Sequence, residues 1–242
     1  MSELPPPRLM LTAREWPRAA WTVARLGWRW RSLRAGQAGD GRPVMVLPGL
    51  FNSDRSNVAL RGFLNRIGYD AHGWGLGRNL GTRSIGQDAQ RLIAAVERLS
   101  EVAGRPVTLI GVSLGGIMAR LVAHRRPDLV AEVITIASPY AGHPRSTRVW
   151  RAFEWITGER VDDARVEMLR AEIVAPLPVK ATAIWSASDG LVNGLACRGG
   201  DCADVEVVSG HLGVQLQPDV LLAVTRVLSV SRTLTTATVR PE

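Results

Sequence analysis

A serine flanked by glycines, Ser113 in Gly-Val-Ser-Leu-Gly-Gly (111–116), stands directly behind the apolar run Val107–Ile110. Two uses suit a hydroxyl there. It can cap a helix that starts at the turn, or it can attack an electrophile. An alcohol near neutral pH is a poor nucleophile until a base takes its proton, and an imidazole base needs a carboxylate to fix its tautomer. The chain offers both groups. Asp189 follows "KATAIWSAS" and precedes Gly190, and His211 follows "DVEVVSG" and opens "HLGVQ". Each also has a plainer use, Asp189 in an Asp-Gly turn and His211 as an ordinary loop residue. Asp201 and Asp204 are fallback acids, but they sit in a polar stretch rather than behind an apolar run. His72 lies inside a strand-like segment, and His124 sits beside two arginines on a helical one. His143, after "ASPYAG", is the rival base, although it precedes Asp189 in the chain.

The elements that would position these residues alternate. "PVMVLPG", "YDAHGWG", "PVTLIGV", "VAEVITIASP", "KATAIWSAS" and "DVEVVS" read as short apolar strands. Between them lie helical patterns, clearest over residues 85–104, where Ile85, Ala89, Leu92, Ile93, Val96 and Leu99 share one side. "PDVLLAVTRVLSV" closes the domain as a helix, with Pro218 near its start. Such alternation predicts a mostly parallel sheet covered by helices on both faces. Ligands bind such sheets outside the carboxyl ends of the strands. Ser113, Asp189 and His211 each fall just past one of those ends. Glycines around Ser113 fit a tight strand-to-helix turn, which lifts the hydroxyl out of the sheet and sets it at a helix N-terminus.

Composition narrows the function classes. The 242 residues are 46% apolar and 21% charged, which suits one well-buried domain and excludes extended disorder away from the ends. Net charge is +8, but eight Arg against Glu3, Glu15 and Asp40 put +5 of it in residues 1–42. The remainder is nearly neutral, which argues against nucleic acid as a partner. Two cysteines, Cys197 and Cys202, are too few for a disulfide framework and make no metal site, although a local bridge would suit an exported protein. The first residues lack the apolar core of a signal peptide, and no stretch reaches the length of a membrane span. A cytoplasmic protein is the expectation.

From Thr12 to Leu33 the pattern is helical and amphipathic. Trp16, Ala19, Ala20, Val23, Leu26 and Trp30 share a face, with Arg14, Arg18, Arg25 and Arg29 opposite and Trp21 and Trp28 at the flank. The expectation is a segment, residues 1–36, whose apolar face packs on the domain while the arginines meet water. The alternative is peripheral contact with a membrane through residues 12–33.

Over about residues 43–230, "VMVLPGLF", "GWGLGRNLG", "GVSLGGIMAR", "ITIASPYAG", "SASDGLV" and "SGHLGV" together resemble the α/β-hydrolases, and among them bacterial lipase/esterase-like proteins. The order Ser, Asp, His is the triad order of that superfamily. The resemblance implies an α/β-hydrolase domain over residues 37–242, with a small helical cap inserted at about 141–176. It further implies Ser113 as nucleophile, His211 as general base and then acid, and Asp189 as the residue that orients it. The backbone N–H groups of Leu50 and Leu114 would form the oxyanion hole, each such donor being worth about 3–4 kcal/mol in the transition state. Here Pro48-Gly49 replaces the His-Gly common in lipases at that loop. Phe51, Trp74, Trp150 and Phe153 are the candidate pocket residues, with Asn79 as an alternative to Trp74 at the pocket border. In the cap, Val149, Trp150, Phe153 and Ile156 recur at helical spacing, which suits either an acyl pocket or an anchor to the core. The implied activity is hydrolysis of small-molecule or lipid carboxylic esters through an acyl-enzyme, with no cofactor and no metal. Acyl transfer or thioester cleavage by the same triad is the near alternative. A non-catalytic membrane-surface or partner-binding protein is the distant one.

Overall fold

The computed structural model describes residues 4–33, 39–199 and 202–238, with side chains described as far as residue 230. Six strands form one parallel sheet: β1 (Pro43–Leu47), β2 (Asp70–Gly73), β3 (Val107–Val112), β4 (Val130–Ile136), β5 (Lys180–Trp185) and β6 (Ala203–Glu206), in the spatial order β2-β1-β3-β4-β5-β6. Every residue of β1 and β3 is buried. Continuous apolar runs of this kind form strands because helices cover both faces of a parallel sheet. Among the described residues, no strand precedes β1.

Nine α-helices among the described residues accompany the strands. They are α1 (Leu9–Ala13), α2 (Glu15–Arg29), α3 (Val58–Arg66), α4 (Thr82–Ile85), α5 (Gln90–Ala103), α6 (Leu114–Arg125), α7 (Trp150–Thr157), α8 (Ala164–Val174) and α9 (Pro218–Thr238). Alternate strand residues feed two cores. Val46, Ile110 and Ile134 pack with Phe63 of α3 and Val224 of α9 on one face. Leu47, Leu109 and Val133 pack with Leu92 of α5 and Val122 of α6 on the other. Helices α7 and α8 lie between β4 and β5, in the stretch where the sequence implies a cap.

Two sequence expectations need correction. The helix anticipated over residues 85–104 starts only at Gln90, as α5, because Gly86 and Ala89 take φ values of +86° and +57° and separate it from the short α4, which ends at Ile85. The N-terminal segment is turned by roughly a quarter turn from its expected orientation: Leu26 and Trp30 face the domain as anticipated, but Trp16 and Val23 do not, and Arg18, Arg25 and Arg29 reach it as well. α1 and α2 meet at Arg14, and the side of α2 against the domain holds Glu15, Thr22 and Leu26. Arg18 donates to the carbonyl oxygen of Ser188 at 2.7 Å and to its hydroxyl at 2.9 Å. Arg25 and Arg29 reach Asp219 at 3.5 and 3.7 Å. Trp16, Trp21 and Trp28 point to solvent, 78, 61 and 86% exposed. The cause is the surface that α2 covers. It consists of loop backbone and carboxylate at the end of the sheet, which needs charged partners more than apolar ones. The last turn behaves differently: Trp30 packs against Phe63, and Arg66 donates to the carbonyls of Trp30 and Leu33.

Cys197 is buried, Cys202 is half-buried, and the two are not bridged. Burial pushes the Cys197 thiol well above its ordinary pKa, which keeps it protonated.

Candidate active site

Ser113 is the hinge between β3 and α6, with φ +51° and ψ −120°. A non-glycine residue there is strained, and the surrounding packing must hold it in place. The neighbouring glycines allow that packing. A Cβ on Gly115 would lie 2.5 Å from the carbonyl oxygen of Leu47, and one on Gly111 would run into the backbone of Gly116. The turn therefore closes only because α6 presses directly on β1 and β3. It aims the Ser113 hydroxyl outward.

The structure brings the three sequence candidates together. His211 Nε2 lies 3.1 Å from Ser113 Oγ, and His211 Nδ1 lies 2.7 Å from Asp189 Oδ2. Asp189 is buried, and its other oxygen accepts the N–H groups of Leu191 and Val192 at 2.9 and 2.8 Å. Burial opposes the charged imidazolium, but the charge and hydrogen bond of Asp189, with the charge of Glu15 behind it, raise the His211 pKa above its ordinary value. A hydroxyl held this way can lose its proton to the ring, and the ring's new charge faces a fixed carboxylate. The other acids and bases lie elsewhere. Asp204 accepts a bond from the Trp185 indole, His143 caps a short turn at Arg145, and Asp201 falls outside the described residues.

Glu15 is the residue that sequence reasoning missed. Its carboxylate is buried and accepts three backbone N–H groups: Gly190 at 2.7 Å, His211 at 2.8 Å and Leu212 at 2.9 Å. One side chain from α2 thus ties together the loops that carry Asp189 and His211. Thr12 adds a bond to the carbonyl of Gly190 at 2.7 Å. A signal existed, since Glu15 is the sole acid between Arg8 and Leu33.

Leu50 and Leu114 both border the cavity at Ser113, and among the described residues neither backbone N–H has a hydrogen-bond partner. The loop bearing Leu50 is held against the turn: a Cβ on Gly49 would sit 3.4 Å from the Cβ of Ser113. Asn79, fully buried, clamps that loop. Its side chain donates to the carbonyl of Pro48 at 2.7 Å, its N–H to Asn52 at 2.8 Å, and its carbonyl accepts from Phe51 at 2.7 Å. Asn79 is thus a support of the loop, with no place on the pocket wall.

The cavity measures about 170 Å³ and is walled mainly by apolar side chains from α6, α7 and α8. Trp150 and Phe153 line it, together with Val149, Met118 and Leu169. Two expected pocket residues lie away from it. Trp74 is in the core beneath α5, with its backbone N–H on Asp54 and its indole on the carbonyl of Gly77. Phe51 is half exposed, with Arg78 stacked on its ring. In both cases an aromatic near a strand end found a better partner than the cavity. No cluster of His, Cys, Asp or Glu among the described residues has the arrangement of a metal site. No described helix is long and apolar enough to cross a membrane.

Comparison with known proteins adds a family and a fold. A family model described as serine aminopeptidase, S33, matches residues 53–189, more than half of the chain; Ser113 and Asp189 fall within the match and His211 beyond it. No curated protein matches the sequence. Among solved structures, the mature Bacillus licheniformis lipase BlEst2 is similar at 16% identity and a TM-score of 0.58, over 81% of this chain and 95% of that one. A structure described with the metagenome-derived lipolytic enzymes LipS and LipT matches at 18% and 0.56, over 81% of this chain and 96% of that one. Aspergillus fumigatus lipase B matches at 18% and 0.57, over 80% of this chain and 54% of that one.

Proposed function

Since the chain belongs to the serine aminopeptidase S33 family and is an α/β hydrolase, we propose that it hydrolyses carboxylic esters with an apolar acyl group by nucleophilic catalysis at Ser113. His211 Nε2 takes the proton of Ser113 Oγ as the oxygen attacks the ester carbonyl. Asp189, fixed by Leu191 and Val192, stabilises the imidazolium through Nδ1. The tetrahedral oxyanion is met by the N–H groups of Leu50 and Leu114. As the intermediate collapses, His211 returns its proton to the departing alkoxide, leaving an acyl-Ser113 and a free alcohol. Water then gives a proton to His211 and attacks the acyl group. A second collapse releases the carboxylic acid and restores the Ser113 hydroxyl.

The observation that carries this reading is the continuous contact from Ser113 Oγ through His211 to a buried Asp189, at 3.1 and 2.7 Å. An ester is favoured over a peptide N-terminus by the cavity. A free α-ammonium needs an acid to receive it, and Glu159, the one acid lining the cavity among the described residues, is already engaged by the hydroxyl and N–H of Thr82. Turnover of a p-nitrophenyl ester series tests the proposal. Ser113→Ala should lose about 10⁴-fold or more in kcat/KM, along with labelling by a fluorophosphonate. Undiminished turnover would remove Ser113 from the chemistry. Faster cleavage of aminoacyl p-nitroanilides than of any ester would replace the ester with a peptide substrate.

A further inference from the structure

Helix α2 is inside out for a surface helix. Each of its residues that is well exposed is apolar, among them Trp16, Trp21, Val23 and Trp28. Its four charged residues, Glu15, Arg18, Arg25 and Arg29, all have partners on the domain. At 100° per residue, the exposed apolar arc from Val23 round to Trp21 spans about 160°. α1 extends the patch with Leu9 and Met10, 71 and 62% exposed. Isolated apolar residues on a surface mean little, but a contiguous patch with a polar rim marks a place of contact.

The rim identifies what makes that contact. Arg8, Arg14 and Arg31 are exposed around the patch, and the chain as a whole carries +8. A second copy of the chain would bring these arginines against their own kind. An anionic bilayer surface would neutralise them, and tryptophan rings favour the boundary between headgroups and acyl chains. We propose that the exposed face of α1 and α2 docks on an anionic membrane, lying in the plane of the interface with its tryptophans below the headgroups. The docked edge adjoins the substrate cavity. Arg148 donates to the carbonyl of Pro7 just ahead of α1, and its neighbours Thr147 and Val149 line the cavity. The inference goes beyond the ester chemistry and stands whether or not Ser113 reacts.

Vesicle flotation of the full chain tests it, with phosphatidylcholine vesicles compared with vesicles that also contain phosphatidylglycerol. Wild type should float with the anionic vesicles and be released by salt. The Trp16→Ala/Trp21→Ala/Trp28→Ala variant should lose at least about tenfold in partitioning. Its turnover of a short soluble ester and its circular dichroism should match wild type, because the three side chains face solvent. Arg14→Glu, read in parallel, should cost about fivefold or more on anionic vesicles. Equal flotation of wild type and the triple variant would overturn the proposal, as would no flotation of wild type. A dimer in lipid-free solution that the triple variant dissociates would transfer the patch to a second copy of the chain.

Discussion

Two regions meet at the site and hold it by different means. The turn at Ser113 grows out of β3, all six of whose residues are buried, and it is locked by α6 pressing on backbone where no Cβ fits. Helix α2 covers the other side, where Glu15, Arg18, Arg25 and Arg29 hold it by hydrogen bonds and charge, and Leu26 is its one buried apolar side chain. The turn can fail only if the core fails with it. The α2 clamp can loosen while the sheet stays intact. The strained backbone at Ser113 therefore sits on the side of the molecule with most packing to oppose the strain.

Breaking the turn should produce the largest effect on the fold. Gly115→Val would drive a branched side chain into the carbonyls of Leu47 and Pro48, which lie 2.5 and 2.7 Å from the position of a first carbon. A loss of about 3 kcal/mol or more is expected, and with it both stability and activity. Thermal unfolding checks this. A variant that melts like wild type would show that α6 can move off β1, and the contrast between the two regions would disappear.

Removing the clamp should do less to the fold and more to the geometry. Glu15→Ala leaves the N–H groups of Gly190, His211 and Leu212 without their acceptor, a cost of about 1–2 kcal/mol once water enters the space the side chain leaves. The loops carrying Asp189 and His211 would then drift apart while β3 and α6 remain in place. Turnover should fall by about 10–100-fold, mainly in kcat, since the cavity beside Ser113 is built by other elements. Equal losses in unfolding temperature for Glu15→Ala and Gly115→Val would contradict the local character of the clamp.

The sheet, its strand ends and the three residues at them were legible because they depend on short-range patterns. Val107–Val112 can be little other than a buried strand, and glycines on both sides of Ser113 imply a turn that side chains would block. The N-terminal helix was legible as amphipathic but not in its orientation. Periodicity fixes the angle between two faces, and only the surface beneath decides which one turns inward. Here that surface is the backbone of two loops 175 to 197 residues away in sequence, which no local window contains. Trp74 and Phe51 went astray for a related reason. Aromatics near strand ends look alike in sequence, whether they line a cavity, fill a core as Trp74 does, or lie under an arginine as Phe51 does.

The smallest effect concerns protons. Glu15→Gln keeps the size of the side chain and one carbonyl oxygen while removing a negative charge near the ring of His211. That charge, together with the larger influence of Asp189, raises the His211 pKa against the opposing effect of burial. The ring must be neutral to act as the proposed base, so the acidic limb of kcat/KM against pH should lie above the ordinary imidazole value in wild type. Without the Glu15 charge the imidazolium is less stabilised and gives up its proton more readily. The limb should move toward lower pH, and activity on the acidic side should fall off later. A purely mechanical clamp would lower the plateau and leave the limb where it was, whereas a limb that moved upward would reverse the sign assigned to Glu15. The pH profile thus separates the two things one carboxylate does for the loop, holding its backbone and setting the charge around its histidine.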